Sequence, residues 1–275
     1  DRFTTQSLKW LDGRAAAARA GKPFFLYLPY TSPHKPVIPP EQFRGQGKAG
    51  AYGEFMIETD HHLGRILKWL DDEKLADNTM VIFTSDNGPE TTWRERIQRF
   101  GHHSNGIYRE GKRSVYEGGH RVPFIIRWPT KVKAGSQWNQ PVCQTDLLAT
   151  FADMADERLP ANAGEDSISF YRVLRGVGEN SVAPRVAIVH HGSQGRFALR
   201  EQNWKLVMED ARKGKRELYD LAKDPGETTN VIAQHPEVAA RLVAKLTVIV
   251  RNGRSSPGPV QKNDTPPWKE LFWMH

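Results

Sequence analysis

Met80-Val81-Ile82-Phe83-Thr84 is a continuous apolar and β-branched run, the pattern of a strand buried on both faces. Such a strand needs helices above and below it, so the run commits the chain to an α/β architecture. It ends in Ser85-Asp86-Asn87-Gly88, where a carboxylate, an amide oxygen and a permissive glycine meet at the strand's carboxyl end. In open α/β sheets, ligands bind in the crevice beyond those ends. The same residue types also make ordinary turns, and the stretch taken alone admits both readings.

The rest of the chain repeats the pattern. Thr4–Ala20 reads as a helix, with Leu8, Leu11 and an alanine run, closed by Gly21 and Pro23. Phe24–Leu28 reads as a second strand, entering Pro29-Tyr30-Thr31-Ser32-Pro33-His34-Lys35-Pro36, a loop whose prolines restrict the backbone around one histidine. After a Pro- and Gly-rich loop over 37–50, the residues Tyr52, Phe55, Met56, Leu63, Ile66, Leu67 and Leu70 fall on one helical stripe. Strand, helix and strand in that order form a βαβ crossover. Thr91–Gly111 is polar and aperiodic and reads as a long loop containing His102-His103. Val122–Pro129 then reads as a strand, and Asp146–Met154 as a helix with Asp146 at its N-cap.

Beyond Arg175 the pattern changes to short β-type runs, 186–190, 196–200, 204–208 and 217–221, with a hairpin over Glu201-Gln202-Asn203 and a helix over Pro236–Val250. The expected organisation is an α/β core over 1–180, with a mixed or parallel sheet between helices. A small α+β subdomain with a Pro- and Gly-rich tail follows over 181–275.

The 275 residues carry a net charge of +7, but the basic residues are dispersed among acidic ones, with no basic run interleaved with aromatics. That pattern argues against a nucleic-acid partner and leaves attraction of small anions by a cleft. No apolar run approaches the ~18 residues a membrane span needs. The single Cys143 excludes an internal disulfide and a cysteine-based zinc site, and reads as a small packed residue.

Asp86 and Asn87 offer hard oxygen donors suited to calcium or magnesium rather than zinc. Lys112, in Gly111-Lys112-Arg113-Ser114-Val115-Tyr116-Glu117-Gly118-Gly119, is a point charge suited to a tetrahedral oxyanion, and His34 could protonate a leaving oxygen. Together they describe metal-assisted ester cleavage at sulfur or phosphorus. His102, His103, His190 and His191 are candidate pocket residues, placed in the long loop and at a strand end. His61-His62 read as surface or core-edge residues of their helix. Arg121 either touches substrate or braces its own segment, and Trp93, Trp138 and Trp204 either stack a sugar or pack.

Phe83–Glu90 resembles the metal-binding strand end of the type I sulfatases, and Gly111–Pro123 the second signature of that family. The resemblance continues in Ser32-Pro33-His34-Lys35-Pro36, in Thr145-Asp146-Leu147-Leu148, and in Glu217–Glu227, in the family's order. It implies an alkaline-phosphatase-like fold and hydrolysis of a sulfate ester, most naturally on a carbohydrate. It implies calcium on Asp86 and Asn87, with magnesium the less suited ion, Lys112 on the sulfate oxygens, and His34 as acid for the departing alcohol. It also implies an exported protein: periplasmic, secreted or lysosomal.

The family's nucleophile is a formylglycine made within Cys/Ser-x-Pro/Ala-x-Arg. Cys143-Gln144-Thr145-Asp146 does not fit that pattern, and Ser255-Ser256-Pro257-Gly258-Pro259 lacks its arginine. The expectation is therefore a C-terminal portion of a sulfatase, inactive by itself, with the nucleophile and further metal ligands in an N-terminal part. Two alternatives stay open: a phosphodiesterase or phosphonate hydrolase of the same superfamily, or a homologue that binds sulfated glycans without cleaving them.

Overall fold

The computed structural model describes residues 1–176, 185, 187–209, 215–264, 266 and 268–274. The chain forms two compact units, one of residues 1–83, 92–104 and 124–134, the other of residues 84–91, 105–123 and 135–275. The domain boundary expected at residue 180 lies outside the described residues.

In the first unit, helices α1 (Arg2–Asp12) and α2 (Ala15–Arg19) replace the single helix expected over Thr4–Ala20. The break falls at Gly13, a residue type disfavoured in a helix interior, and the Arg14 N–H turns back to the Leu11 carbonyl at 2.8 Å. Helix α3 (Gly50–Asp72) is the long helix that the stripe predicts, but its buried face differs. Ile66 and Leu70 are buried, whereas Tyr52, Phe55, Met56, Leu63 and Leu67 are half-covered. Glu58, Thr59 and His62 are buried in their place. Polar groups tolerate this because they are partnered: His62 lies 3.3 Å from the Glu58 carboxylate, and the Thr59 hydroxyl 2.6 Å from that of Ser32. His61 stays exposed, as a surface residue should.

Strand β1 (Val81–Thr84) pairs with β2 (Phe124–Arg127) in a two-stranded sheet. Phe24–Leu28 is not a strand, which corrects the sequence expectation and with it the βαβ crossover into β1. Its side chains alternate between half-buried and exposed as in a strand, but among the described residues no ladder forms alongside it. Phe24 instead packs edge-on against Trp10 of α1 and Trp69 of α3, at ring separations of 6.2 and 6.5 Å. The long loop expected over Thr91–Gly111 contains helix α4 (Trp93–Phe100), ended by Gly101 in the left-handed conformation. This helix hides its signal, because its buried residue is Arg96, lying 3.8 Å from the Tyr52 ring centre.

The second unit holds helices α5 (Glu117–His120), α6 (Asp146–Met154), α7 (Tyr171–Leu174) and α8 (Pro236–Asn252). Its sheet is antiparallel in the order β3 (Ile188–His191), β4 (Phe197–Glu201), β5 (Trp204–Val207) and β6 (Glu217–Asp220). The expected β4–β5 hairpin is present, with Glu201 opposite Trp204 and Gln202-Asn203 between them. Asp146 is the first residue of α6 rather than its N-cap; it is buried, accepts from the Cys143 and Ile168 amides at 2.8 Å, and pairs with Arg185. Among the described residues no helix is long and apolar enough to cross a membrane.

Strand alternation gives this sheet two different faces. Leu199, Leu206 and Leu218 stand opposite one another across β4, β5 and β6, and pack with Leu242 and Leu246 of α8. The other face carries the rows His190, Ala198, Val207, Glu217 and Ile188, Arg200, Lys205, Tyr219. Val115 and Tyr116 pack against that second face. The sheet is therefore apolar toward α8 and charged toward the segment that carries Lys112.

Candidate functional site

The candidate residues divide between the units. His34, His102 and His103 lie in the first unit and are exposed, while Asp86, Asn87, Lys112, Arg121, His190 and His191 lie in the second. His34 is held locally: its N–H donates to the Thr31 carbonyl at 2.9 Å, and its Nδ1 lies 2.7 Å from the Lys35 carbonyl.

Within the second unit, the loop after β1 and the segment 105–123 are zipped together through their backbones. Gly88 N–H donates to Gly119 O at 3.0 Å, and Lys112 N–H donates to Pro89 O at 2.8 Å. Arg113 adds a two-pronged bond to Glu90, with Nη1 and Nη2 at 2.7 and 3.0 Å from its oxygens. This guanidinium, with the Thr91 amide, draws the Glu90 carboxyl down to about 2. The approach is so close that a Cβ on Gly88 would sit 1.8 Å from the Gly118 carbonyl oxygen. Two sequence-predicted groups, Asp86-Asn87 and Lys112, are thus brought to one place by main-chain contacts.

The oxygens there are lightly used, with Ser85 Oγ 3.5 Å from Asp86 Oδ1. Asn87 Nδ2 donates to Gly88 O at 2.8 Å, which orients the amide and leaves its oxygen available. Asp86 is exposed. Arg109, Arg113, Arg121, Arg196, Arg200 and Lys205 each lie within 4 Å of a carboxylate. No described carboxylate pairs with Lys112. A half-buried ammonium without a counter-charge suits an incoming oxyanion.

Asp86 and Asn87 fit a hard divalent cation in donor type. Calcium takes about six to eight oxygens, and among the described residues no group of three or more His, Cys, Asp or Glu side chains comes together to hold a metal. The pair therefore fits as part of a coordination shell.

Beneath the zipped loops lies a charged layer that sequence reasoning did not single out. Glu117 is 1% exposed, and Lys205 and Glu227 are 0% exposed. Tyr116 and Tyr219 both donate to Glu217 at 2.7 Å, and burial together with that carboxylate pushes the Tyr116 hydroxyl up to about 12. His120 and His190 stack at 4.4 Å, and His120 Nε2 and His190 Nδ1 are buried without a hydrogen-bond partner. Burial, then the charge of Lys205, lowers His120 to about 4 and His190 well below the ordinary histidine value. His190 is thus a buried neutral residue on the face toward Lys112, while His191 on the other face is exposed and stacks on Phe197 at 4.2 Å. Arg121 lies 4.7 Å from the Tyr108 ring and 3.7 Å from Glu117, so its visible contacts brace its own segment. One signal for the buried layer was available: Lys205 sits on the inward parity of a strand otherwise made of Trp, Leu and Val.

Residues 1–157 match the sulfatase family model, and residues 105–252 match that of the N-sulphoglucosamine sulphohydrolase C-terminal region. The chain is 37% identical over 238 residues to the N-acetylgalactosamine-6-O-sulfatase of Bacteroides thetaiotaomicron, covering 80% of this chain and 46% of that protein. It is 31% identical over 246 residues to human arylsulfatase A, covering 80% and 46% of the two chains. A solved structure described for glycosaminoglycan metabolism by B. thetaiotaomicron superposes with a TM-score of 0.80 at 33% identity, covering 90% of this chain and 53% of the other. The chain spans about half the length of the relatives it matches. The fold is accordingly the α/β, alkaline-phosphatase-like fold of these proteins, with its antiparallel C-terminal subdomain.

Proposed function

Because the chain belongs to the sulfatase family, we propose that it supplies part of the active site of a calcium-dependent sulfuric ester hydrolase acting on a sulfated carbohydrate. The observation that supports this most directly is the pair of zipped loops, which bring two oxygen donors to the segment of Lys112, an ammonium that no carboxylate pairs with among the described residues. In this reading Lys112 grips the sulfate oxygens as a point charge. Asp86 and Asn87 contribute to the calcium shell, and the ion, when bound, draws charge from the sulfate oxygens. His34 protonates the departing alcohol oxygen. In this reading the nucleophile is a formylglycine contributed from outside these residues: Ser181-Val182-Ala183-Pro184-Arg185 has the Ser-x-Ala-x-Arg spacing, but it lies beyond the sulfatase match over 1–157, and Arg185 is paired with the buried Asp146. The carbohydrate assignment is supported by relatives named for N-acetylgalactosamine 6-sulfate and for glycosaminoglycans. An exported location follows the same analogy.

The test is turnover of N-acetylgalactosamine 6-sulfate and 4-nitrophenyl sulfate by the protein produced from its complete gene. Activity should disappear on calcium chelation, and Lys112→Ala should lower kcat/KM by about 10²–10³-fold, the scale for losing one oxyanion partner. The 275-residue chain by itself should be inactive. Full activity in Lys112→Ala would overturn the assignment.

A further inference from the structure

The buried charges of the second unit converge on one residue of the Lys112 segment. Lys205 Nζ lies 3.0 Å from Oε1 of Glu117 and 3.0 Å from Oε1 of Glu227. Arg200 donates to Oε2 of Glu117 at 2.9 Å. The Glu117 amide donates to Oε2 of Glu227 at 2.7 Å, so Glu227 grips both the main chain and the cation. Two carboxylates thus face Lys205 and Arg200, with His120 and His190 held neutral alongside.

This arrangement is a poor way merely to stabilise a fold. Apolar residues of similar volume commonly serve as well as a buried ion pair or better, whereas such pairs fix a geometry. What this one fixes is the backbone of Glu117. Gly118 N–H donates to Arg109 O at 2.9 Å and Gly119 N–H to Tyr116 O at 2.9 Å, while Gly119 O receives the Gly88 amide at 3.0 Å. A Cβ on Gly118 would lie 2.3 Å from the Glu110 carbonyl, so the turn has no room to drift. A shift of Glu117 therefore passes within two residues to the acceptor that holds the Asp86-Asn87 loop, and five residues back lies Lys112.

We propose that Lys205, acting through Glu117 and Glu227, is a positioning residue that sets where Lys112 stands relative to Asp86 and Asn87. The proposal rests on the reading of those residues as the sulfate and calcium contacts. It assigns the C-terminal sheet a part in catalysis: strand β5 carries the anchor of the anion-binding segment.

The experiment compares Lys205→Met, Lys205→Arg and Glu227→Gln with Lys112→Ala in the complete protein. Its readouts are kcat/KM, calcium dependence, urea unfolding, and amide hydrogen exchange over 111–119 and over α8. Lys205→Met should lower kcat/KM about a hundredfold, the cost of an ångström-scale misplacement, and raise the calcium concentration needed for activity. Its amides over 111–119 should lose protection while those of α8 keep theirs. Lys205→Arg should restore part of the activity. Glu227→Gln, which keeps an acceptor for the Glu117 amide, should lose about tenfold.

A Lys205→Met protein that unfolds at lower urea but turns over and binds calcium as before would make the triad structural only and overturn the proposal. If Lys205→Met fails to fold, unchanged kinetics in Glu227→Gln overturns it instead. If Lys112→Ala is itself harmless, the sulfate assignment fails, and unchanged amide exchange over 111–119 in the folded Lys205 and Glu227 variants then removes the positioning role as well.

Discussion

Replacing Gly88 by alanine is expected to lower activity about a hundredfold while leaving most of the chain folded. The new methyl would lie 1.8 Å from the Gly118 carbonyl oxygen, 2.9 Å from its carbon and 3.2 Å from Gly119 Cα. All three are backbone atoms, so no side chain can swing away, and the two loops must part by more than an ångström. The 3.0 Å bond from Gly88 to Gly119 is then lost, and Asp86-Asn87 separates from Lys112. Overpacking of this kind costs about 1–3 kcal/mol, more where the obstruction is main chain. Misplacement of that size costs about a hundredfold in rate. Urea unfolding and kcat/KM of Gly88→Ala should both fall. Gly64, inside α3 with nothing within 4 Å of its Cβ position, is the matched control. Gly64→Ala should leave activity unchanged and raise stability by up to about 1 kcal/mol, the difference in helix propensity. Normal activity in Gly88→Ala would mean that the loops need not stay together.

Mild acid should destabilise the second unit through its two buried histidines. Their native values are lowered, so between pH 6.5 and about 4 the unfolded chain binds protons that the folded chain refuses. Stability then rises with pH across that window and is lost as the pH falls. For His120 alone, the displacement to about 4 corresponds to about 3 kcal/mol over the window. His190 and, in the first unit, His62 act in the same direction. Glu227, raised by burial, titrates with the opposite sign. The decisive measurement is therefore a difference: urea midpoints from pH 7 to 4.5 for the native sequence and for His120→Gln/His190→Gln. The double variant should show a shallower slope, and parallel slopes would dismiss the histidines as the cause.

Two parts of the candidate site were legible in the sequence because they are local. Asp86-Asn87 at a strand end and Lys112 beside clustered glycines announce themselves within a few residues, and the structure brings these two groups together. The antiparallel C-terminal sheet was equally readable, since alternation and a two-residue turn are short-range signals. What was hidden depends on distant partners. The inward parity of Lys205 was visible, but its partner Glu117 lies 88 positions away, and no local pattern joins the two. Helix α4 was hidden because its buried residue is an arginine under Tyr52, which carries no apolar periodicity. Phe24–Leu28 misled in the other direction: an apolar run specifies that a segment can pair, and a ladder also requires a neighbour.

The two-faced sheet bears on how sulfatases can be recombined. Strands 197–201 and 204–207 read as a detachable module, yet their inward row carries the counter-charges of a segment more than eighty positions earlier. A chimera joined between residues 123 and 188 would leave Glu117 facing a foreign row, and a one-residue slip in the β4–β5 turn would turn Leu206 toward it instead of Lys205. The signature segment and the C-terminal sheet are thus joined through these charges. Grafts that respect this link would take both or neither.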